Sequence, residues 1–159
     1  MSLVREAPDK QVGVTEARAM AYRYLGAREH SRQELRDKLQ RRGVPRDVAF
    51  ITVDELAEEG LVSDQRYTES FIRSRVQRHQ GPLKIRAELR KRGVADALID
   101  DALAVHEADW SELALAWAGR RVRGTLDRNE KARLYRSGTS RGFTHEQMMR
   151  AIDSLAAEP

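Results

Sequence analysis

Apolar residues recur along this chain at the spacing of an α-helix rather than that of a β-strand. One early segment carries the stripe of an amphipathic helix, with apolar side chains at Ala17, Met20, Ala21, Tyr24 and Leu25. A later segment repeats this spacing with Trp110, Leu113, Ala114, Trp117 and Ala118. Two tryptophans on one apolar stripe predict core packing rather than ligand stacking. No segment alternates convincingly between apolar and polar residues, so the pattern predicts an all-α fold.

A short phrase ending in glycine and an apolar residue occurs three times. Residues 39–44 (LQRRGV) return as residues 89–94 (LRKRGV), and a weaker copy is residues 140–143 (SRGF), so that the glycines lie 50 and then 49 residues apart. Helix starts are predicted by capping boxes at Ser31 and Thr144 and by prolines at 45 and 82. The period predicts three tandem three-helix repeats, at 15–62, 63–108 and 109–157, that stack into an elongated, curved rod after a disordered tail at 1–14.

The composition narrows the possible chemistry. The chain has no cysteine, which excludes disulfides and thiolate metal sites. Its four histidines are not at metal-ligand spacing and are expected at the surface, and no nucleophile elbow or phosphate-binding loop is present. We therefore expect neither catalysis nor a cofactor. No apolar run approaches the ~20 residues of a membrane span, so a cytoplasmic protein without membrane contact is expected. We also expect a monomer.

Charge alternates between the helices of each repeat. The middle helix of the first two repeats is basic, whereas the third helix carries acids such as Asp54, Glu55, Asp100 and Asp101. If the repeats stack regularly, the basic helices could form a stripe for phosphate or for an acidic protein groove. Alternatively, they are solvated faces whose cations pair with acids on neighbouring helices. An acidic third helix argues against insertion into a DNA major groove, so sequence-specific operator binding is not expected.

Residues 15–157 as a whole resemble the RecX family, regulatory proteins of the RecA recombinase. The resemblance rests on residues 31–35 (SRQEL), 59–64 (EGLVSD), 91–94 (KRGV) and 141–144 (RGFT), in this order and at this period. It implies a non-enzymatic protein of three helical repeats that binds along the groove of the RecA nucleoprotein filament. It further implies inhibition of strand exchange, of ATP hydrolysis and of RecA-stimulated repressor cleavage in the SOS response, together with weak DNA binding.

The third repeat departs from the family pattern. Gly138 stands where the first two repeats have Leu39 and Leu89, so we expect the middle helix of this repeat to end early or to distort.

Seven basic residues are the predicted contacts to the RecA filament or to DNA. They are Arg36, Arg41, Arg42, Arg86, Arg90, Lys91 and Arg92. Some of them are expected to form intramolecular ion pairs instead, and Arg42 and Arg92 could equally cap the carbonyls of the middle helix. Two alternatives stay open: a stand-alone, sequence-independent DNA-binding protein, and an adaptor that binds a basic partner through its acidic helices.

Overall fold

A computed structural model describes residues 12–157, and these form nine α-helices without a β-strand. The helices are α1 (Val14–Ala27), α2 (Arg32–Arg41), α3 (Arg46–Glu58), α4 (Asp64–Gln77), α5 (Pro82–Lys91), α6 (Asp96–Val105), α7 (Glu107–Gly119), α8 (Arg128–Ser140) and α9 (His145–Ala157). The all-α prediction is therefore confirmed. Most of the tail predicted at 1–14 lies outside the described residues, and α1 already begins at Val14.

The chain divides into two compact units between Asp64 and Gln65. The first unit contains α1 to α3 around one apolar cluster, centred on the fully buried Leu35, Leu39 and Leu56. The second contains the other two predicted repeats and two clusters, one around Ile85 and Leu89 and the other around residues such as Phe143 and Met148. The division into three repeats stays a prediction.

Helix α7 contributes to both clusters of the second unit. Trp110, near its start, packs with the α4–α6 residues, whereas Trp117 packs with residues of α8 and α9. Only 3% and 4% of these two residues are exposed, so the predicted core role of the tryptophans is confirmed.

The recurring glycine phrase forms the same helix end three times. Gly43, Gly93 and Gly142 have φ values of 93°, 81° and 98°, in the left-handed region that glycine adopts without steric cost. At the first corner, the Val44 N–H donates to the Leu39 carbonyl at 3.0 Å and the Gly43 N–H donates to the Gln40 carbonyl at 3.0 Å. Equivalent pairs of bonds close the other two corners. Each corner is thus a Schellman motif, which satisfies the last carbonyls of the helix.

Gly138 does not end helix α8, which continues to Ser140. The expectation of an early end was therefore wrong. The reason is that the Met148 side chain fills the space next to Gly138: a Cβ at position 138 would lie less than 3.0 Å from three Met148 side-chain atoms. Met148 is itself fully buried, so an apolar side chain from α9 replaces the leucine of the first two repeats.

The two predicted repeats of the second unit are joined through their loops. The Gly81 N–H donates to the Arg141 carbonyl at 2.9 Å, and the Leu83 N–H donates to the Gly142 carbonyl at 2.9 Å. These bonds connect the start of α5 to the corner between α8 and α9. They bring the backbones at Gly81 and Gly142 into direct contact.

Candidate interaction surface

The C-terminal end of α2 carries two exposed arginines. Arg41 is the last residue of the helix and Arg42 is its C-cap. Neither side chain has a hydrogen-bond or ion-pair partner among residues 12–157. Cations at this end of a helix interact favourably with the helix dipole, but that interaction leaves the guanidinium donors available. The two side chains are thus placed to meet an anionic partner.

Arg36 lies on an aromatic ring rather than against an acid. Its guanidinium carbon is 4.5 Å from the centre of the Phe50 ring, and that of Arg46 is 5.1 Å from the same centre. Such cation–π contacts hold the guanidinium groups in place without cancelling their charge. Phe50 on α3 therefore supports a pair of charged arginines in the first unit.

The corresponding cations of the second unit are paired with carboxylates. Arg86 Nε lies 3.0 Å from Asp100 Oδ1, and Arg90 Nε lies 2.9 Å from Asp96 Oδ1. Both acids belong to α6, the acidic third helix of the predicted repeat. For Arg86 and Arg90, the alternative in which cations pair with acids on a neighbouring helix is confirmed.

The two cations at the end of α5 differ from each other. Arg92 Nη1 donates a hydrogen bond to the Tyr67 hydroxyl at 2.7 Å, and its guanidinium carbon is 5.0 Å from the centre of the Phe71 ring. Arg92 is therefore part of the packing of the second unit. Lys91 is exposed and has no partner among the described residues.

The structure thus separates the seven predicted residues into three groups. The exposed, unpaired cations are Arg41, Arg42 and Lys91; the ion-paired cations are Arg86 and Arg90; the cations on aromatic rings are Arg36 and Arg92. The first group comes from both units, with Arg41 and Arg42 adjacent at one helix end. Their role in binding stays a prediction.

A further basic group was missed. Arg120 and Arg121 at the end of α7, together with Arg141, line a pocket with His79 and Trp117. The one signal for it in the sequence is the number of arginines between positions 120 and 141. It could not show that the loop before α5, which is distant from Arg141 along the chain, completes the pocket.

One histidine prediction was wrong, because His30 is buried. Its Nε2 lies 2.8 Å from the Lys38 ammonium, and its Nδ1 lies 3.0 Å from the Arg28 carbonyl oxygen. An ammonium can only donate, so Nε2 accepts and the proton on Nδ1 is donated to the carbonyl. Burial lowers the pKa of His30 and also that of Lys38. This neutral imidazole is a structural element that joins the loop between α1 and α2 to the last turn of α2.

No group of three or more potential metal ligands occurs in residues 12–157. Over the same range, no helix has the length and apolar character needed to cross a bilayer.

Comparison with known proteins connects both units to one family. Residues 17–56 match the first three-helix domain of RecX, and residues 63–103 match its second three-helix domain. The chain is 45% identical over 143 residues to a regulatory protein RecX of Halorhodospira halophila, covering 89% of this chain and 88% of the relative. It is 44% identical over 134 residues to one of Chromohalobacter salexigens, covering 83% and 88% respectively.

Solved structures show the same fold. The crystal structure of RecX from Lactobacillus salivarius aligns with a TM-score of 0.80 at 24% identity, covering 89% of this chain and 96% of that one. A second crystal structure of a regulatory protein RecX aligns with a TM-score of 0.74 at 26% identity, covering 88% and 73%. From the matched helical domains and the extent of this identity, we conclude that the chain belongs to the RecX family of regulatory proteins.

Proposed function

We propose that this protein regulates the RecA recombinase by binding along the groove of the RecA–DNA filament. Bound there, it limits strand exchange, ATP hydrolysis and RecA-stimulated repressor cleavage, and so acts in recombination, DNA repair and the SOS response. Membership of the RecX family supports the choice of partner. The protein acts by occupancy, as a non-enzymatic cytoplasmic monomer.

One observation carries this proposal: the cations of the middle helices are not all neutralised within the protein. Arg41, Arg42 and Lys91 are exposed at helix C-termini and lack a partner among residues 12–157. Charges without an internal partner can pair with carboxylates or phosphates of a filament, whereas Arg86 and Arg90 would first have to leave Asp100 and Asp96. The binding set is therefore narrower than the seven residues that the sequence suggested.

Inhibition follows from the position of the bound protein. A protein in the filament groove obstructs the second DNA strand during strand exchange. Contacts from both compact units to different RecA subunits would add avidity, because the second contact forms within an existing complex. Subunits held in this way would resist the rearrangements that accompany filament extension and ATP turnover.

The second candidate function is stand-alone, sequence-independent DNA binding. The arginines of α8 and of the loop before it favour it. They are exposed and have no ion-pair partner among the described residues, and they are Arg120, Arg123, Arg128, Arg133 and Arg136. Such binding weakens steeply with salt, because phosphate contacts release counterions, and it needs no RecA.

RecA-dependent strand exchange with substoichiometric amounts of this protein separates the two functions. The proposal expects inhibition by the wild-type protein and loss of most of that inhibition in the variant Arg41→Glu/Arg42→Glu/Lys91→Glu. Arg92 is left intact because its side chain is part of the packing. The matched control, Arg73→Glu/Arg128→Glu/Arg150→Glu, makes the same change in net charge at exposed residues elsewhere and should still inhibit.

Unchanged strand exchange with the wild-type protein, together with tight and salt-sensitive DNA binding, would establish the second function instead. If the first variant inhibits as strongly as the control, the three cations are not the contact residues.

A further inference from the structure

A basic pocket lies between the predicted second and third repeats, inside the second compact unit. It has a volume of about 360 Å³ and is lined by His79, Trp117, Arg120, Arg121 and Arg141. Three arginines and a histidine thus line a space that no acidic residue lines. Arginines such as Arg86 and Arg90 pair with acids, whereas no acidic residue lines this pocket to balance its positive charge.

Arg141 is fixed in this pocket by the backbone. Its Nε donates to the His79 carbonyl at 3.2 Å, and its Nη2 donates to the Arg78 carbonyl. Carbonyl acceptors hold the guanidinium plane without neutralising its charge. The remaining N–H donors of a planar, pre-oriented guanidinium suit bidentate contact with phosphate.

The other two arginines come from the C-terminal end of α7. Arg121 stacks on Trp117, with its guanidinium carbon 4.7 Å from the ring centre, and Arg120 is the C-cap residue. Both are exposed, and neither has an ion pair among the described residues. Favourable interaction with the helix dipole explains why cations stand here, but not why they converge with Arg141.

A neighbouring pocket extends the basic surface. It has a volume of about 330 Å³, shares Arg121 with the first, and adds Arg123 and Arg133 at the rim of an apolar lining, with Glu130 as its one acid. Two adjoining basic pockets suit a ligand that presents negative charge repeatedly along a strand. A nucleic-acid backbone has this property, whereas a single nucleotide or inorganic phosphate would occupy one pocket only.

We propose that the pocket lined by Arg120, Arg121 and Arg141 binds a phosphate group of a DNA strand, with the next phosphate near Arg123 and Arg133. The inference rests on the proposed function in one respect: the strand would belong to the RecA–DNA filament, so that this pocket anchors the second unit to DNA. It is a phosphate site and not a base site, because Trp117 is 4% exposed and covered by Arg121.

The test measures binding of a fluorescent single-stranded oligo(dT) by the full chain, over a range of salt concentrations and without RecA. In Arg120→Gln/Arg121→Gln we expect the affinity to fall about tenfold or more. The slope of log affinity against log salt should become shallower by about 0.7 for each phosphate that the variant no longer binds. Arg141 is left unchanged because it also holds the loop. Circular dichroism confirms that the variants are folded.

The matched control is Arg73→Gln/Arg150→Gln, which removes the same charge from exposed positions of the same unit that line neither pocket. Equal losses of affinity in the two variants would overturn the proposal, because they would show an effect of net charge alone. The variant Arg120→Lys/Arg121→Lys should retain most of the salt slope but bind more weakly, since lysine keeps the charge but not the planar fork. If this variant bound oligo(dT) as tightly as the wild-type protein, the site would not require the guanidinium group, which would overturn this part of the proposal.

Competition identifies the source of the phosphate. Unlabelled oligo(dT) should displace the probe at far lower phosphate concentration than dTMP or inorganic phosphate. If dTMP displaced the probe equally well, the proposal that the pocket binds a DNA strand would be overturned. If poly-glutamate displaced it equally well, the proposal that the pocket recognises phosphate would be overturned. The same variants are then assayed in RecA strand exchange. Unaltered exchange with the wild-type protein would reject the proposed function, whereas unaltered oligo(dT) binding in Arg120→Gln/Arg121→Gln would reject this inference alone.

Discussion

Replacement of Gly81 by alanine should disrupt the second unit, although the residue has no unusual backbone conformation. Its φ of −80° and ψ of 163° are accessible to any amino acid. Space is the constraint: a Cβ at this position would lie less than 3.0 Å from the backbone of Gly142 and Phe143. Backbone atoms cannot rotate away as a side chain can, so the two loops must separate.

The cost can be worked out from the interactions that join the two loops. Separation weakens two backbone hydrogen bonds, from Gly81 to Arg141 and from Leu83 to Gly142, at about 1 kcal/mol each. Overpacking adds about 1–3 kcal/mol, and the lower entropy of the unfolded alanine variant returns about 0.4–1 kcal/mol. The net decrease in the free energy of unfolding is then about 2–5 kcal/mol. For a unit of this size, that decrease should lower the midpoint temperature by about 10 °C or more.

Tryptophan fluorescence measures this effect selectively, because the two tryptophans of the chain are both on α7. Urea unfolding followed by fluorescence therefore reports the second unit, while circular dichroism reports both. The control is Gly119→Ala in the same unit, where the new Cβ would meet only Leu155, at an ordinary 3.8 Å. The control should be neutral or slightly stabilising. A Gly81→Ala midpoint equal to that of the control would refute the close approach of the two loops.

Three further predictions test individual features. Gly138→Ala should destabilise the second unit by about 1–3 kcal/mol, and adding Met148→Ala should remove most of the clash, so a double-mutant cycle in urea should show strong coupling between the two sites. The pKa of His30, measured by NMR, should lie below the ordinary value of 6.5. The free energy of unfolding should fall as the pH drops through 6.5 and below, because the unfolded chain binds the proton more readily, and a measured pKa of 6.5 or above would contradict the burial of His30 as a neutral ring. Arg92→Gln should lower the free energy of unfolding by about 1–2 kcal/mol, because it removes the hydrogen bond to Tyr67 and the packing on Phe71. Arg42→Gln at the equivalent position should change that free energy by less than about 0.5 kcal/mol, and equal thermal shifts in the two variants would disprove the difference.

Local features of this fold were predictable from the sequence. The glycine corners at 43, 93 and 142 need only a helix end and a left-handed residue, and both are readable from a few neighbouring positions. The capping box at Thr144 formed as expected, with the Gln147 N–H donating to Thr144 Oγ1 at 3.1 Å and the Thr144 N–H donating to Gln147 Oε1 at 2.9 Å.

Features that depend on distant residues were not predictable. Met148 reaches Gly138 from another helix, and the sequence pattern around Gly138 contains no sign of it. His30 is polar and next to a helix start, so its burial follows only from the contacts with Lys38 and Arg28. Likewise, Arg36 and Arg86 occupy equivalent positions in the repeats, but Phe50 on α3 and Asp100 on α6 give them different surroundings.

That last difference means that ionic strength should act unequally on two otherwise matching arginines. Dissolved ions screen the attraction between the solvent-accessible side chains of Arg86 and Asp100, and so release the guanidinium as salt rises. Arg36 rests on a ring with no net charge and should keep its position across the same range. At these two matching positions, a saltier medium would consequently leave Arg86 as a looser cation, just as the reach of every charge becomes shorter, while Arg36 would stay as it is.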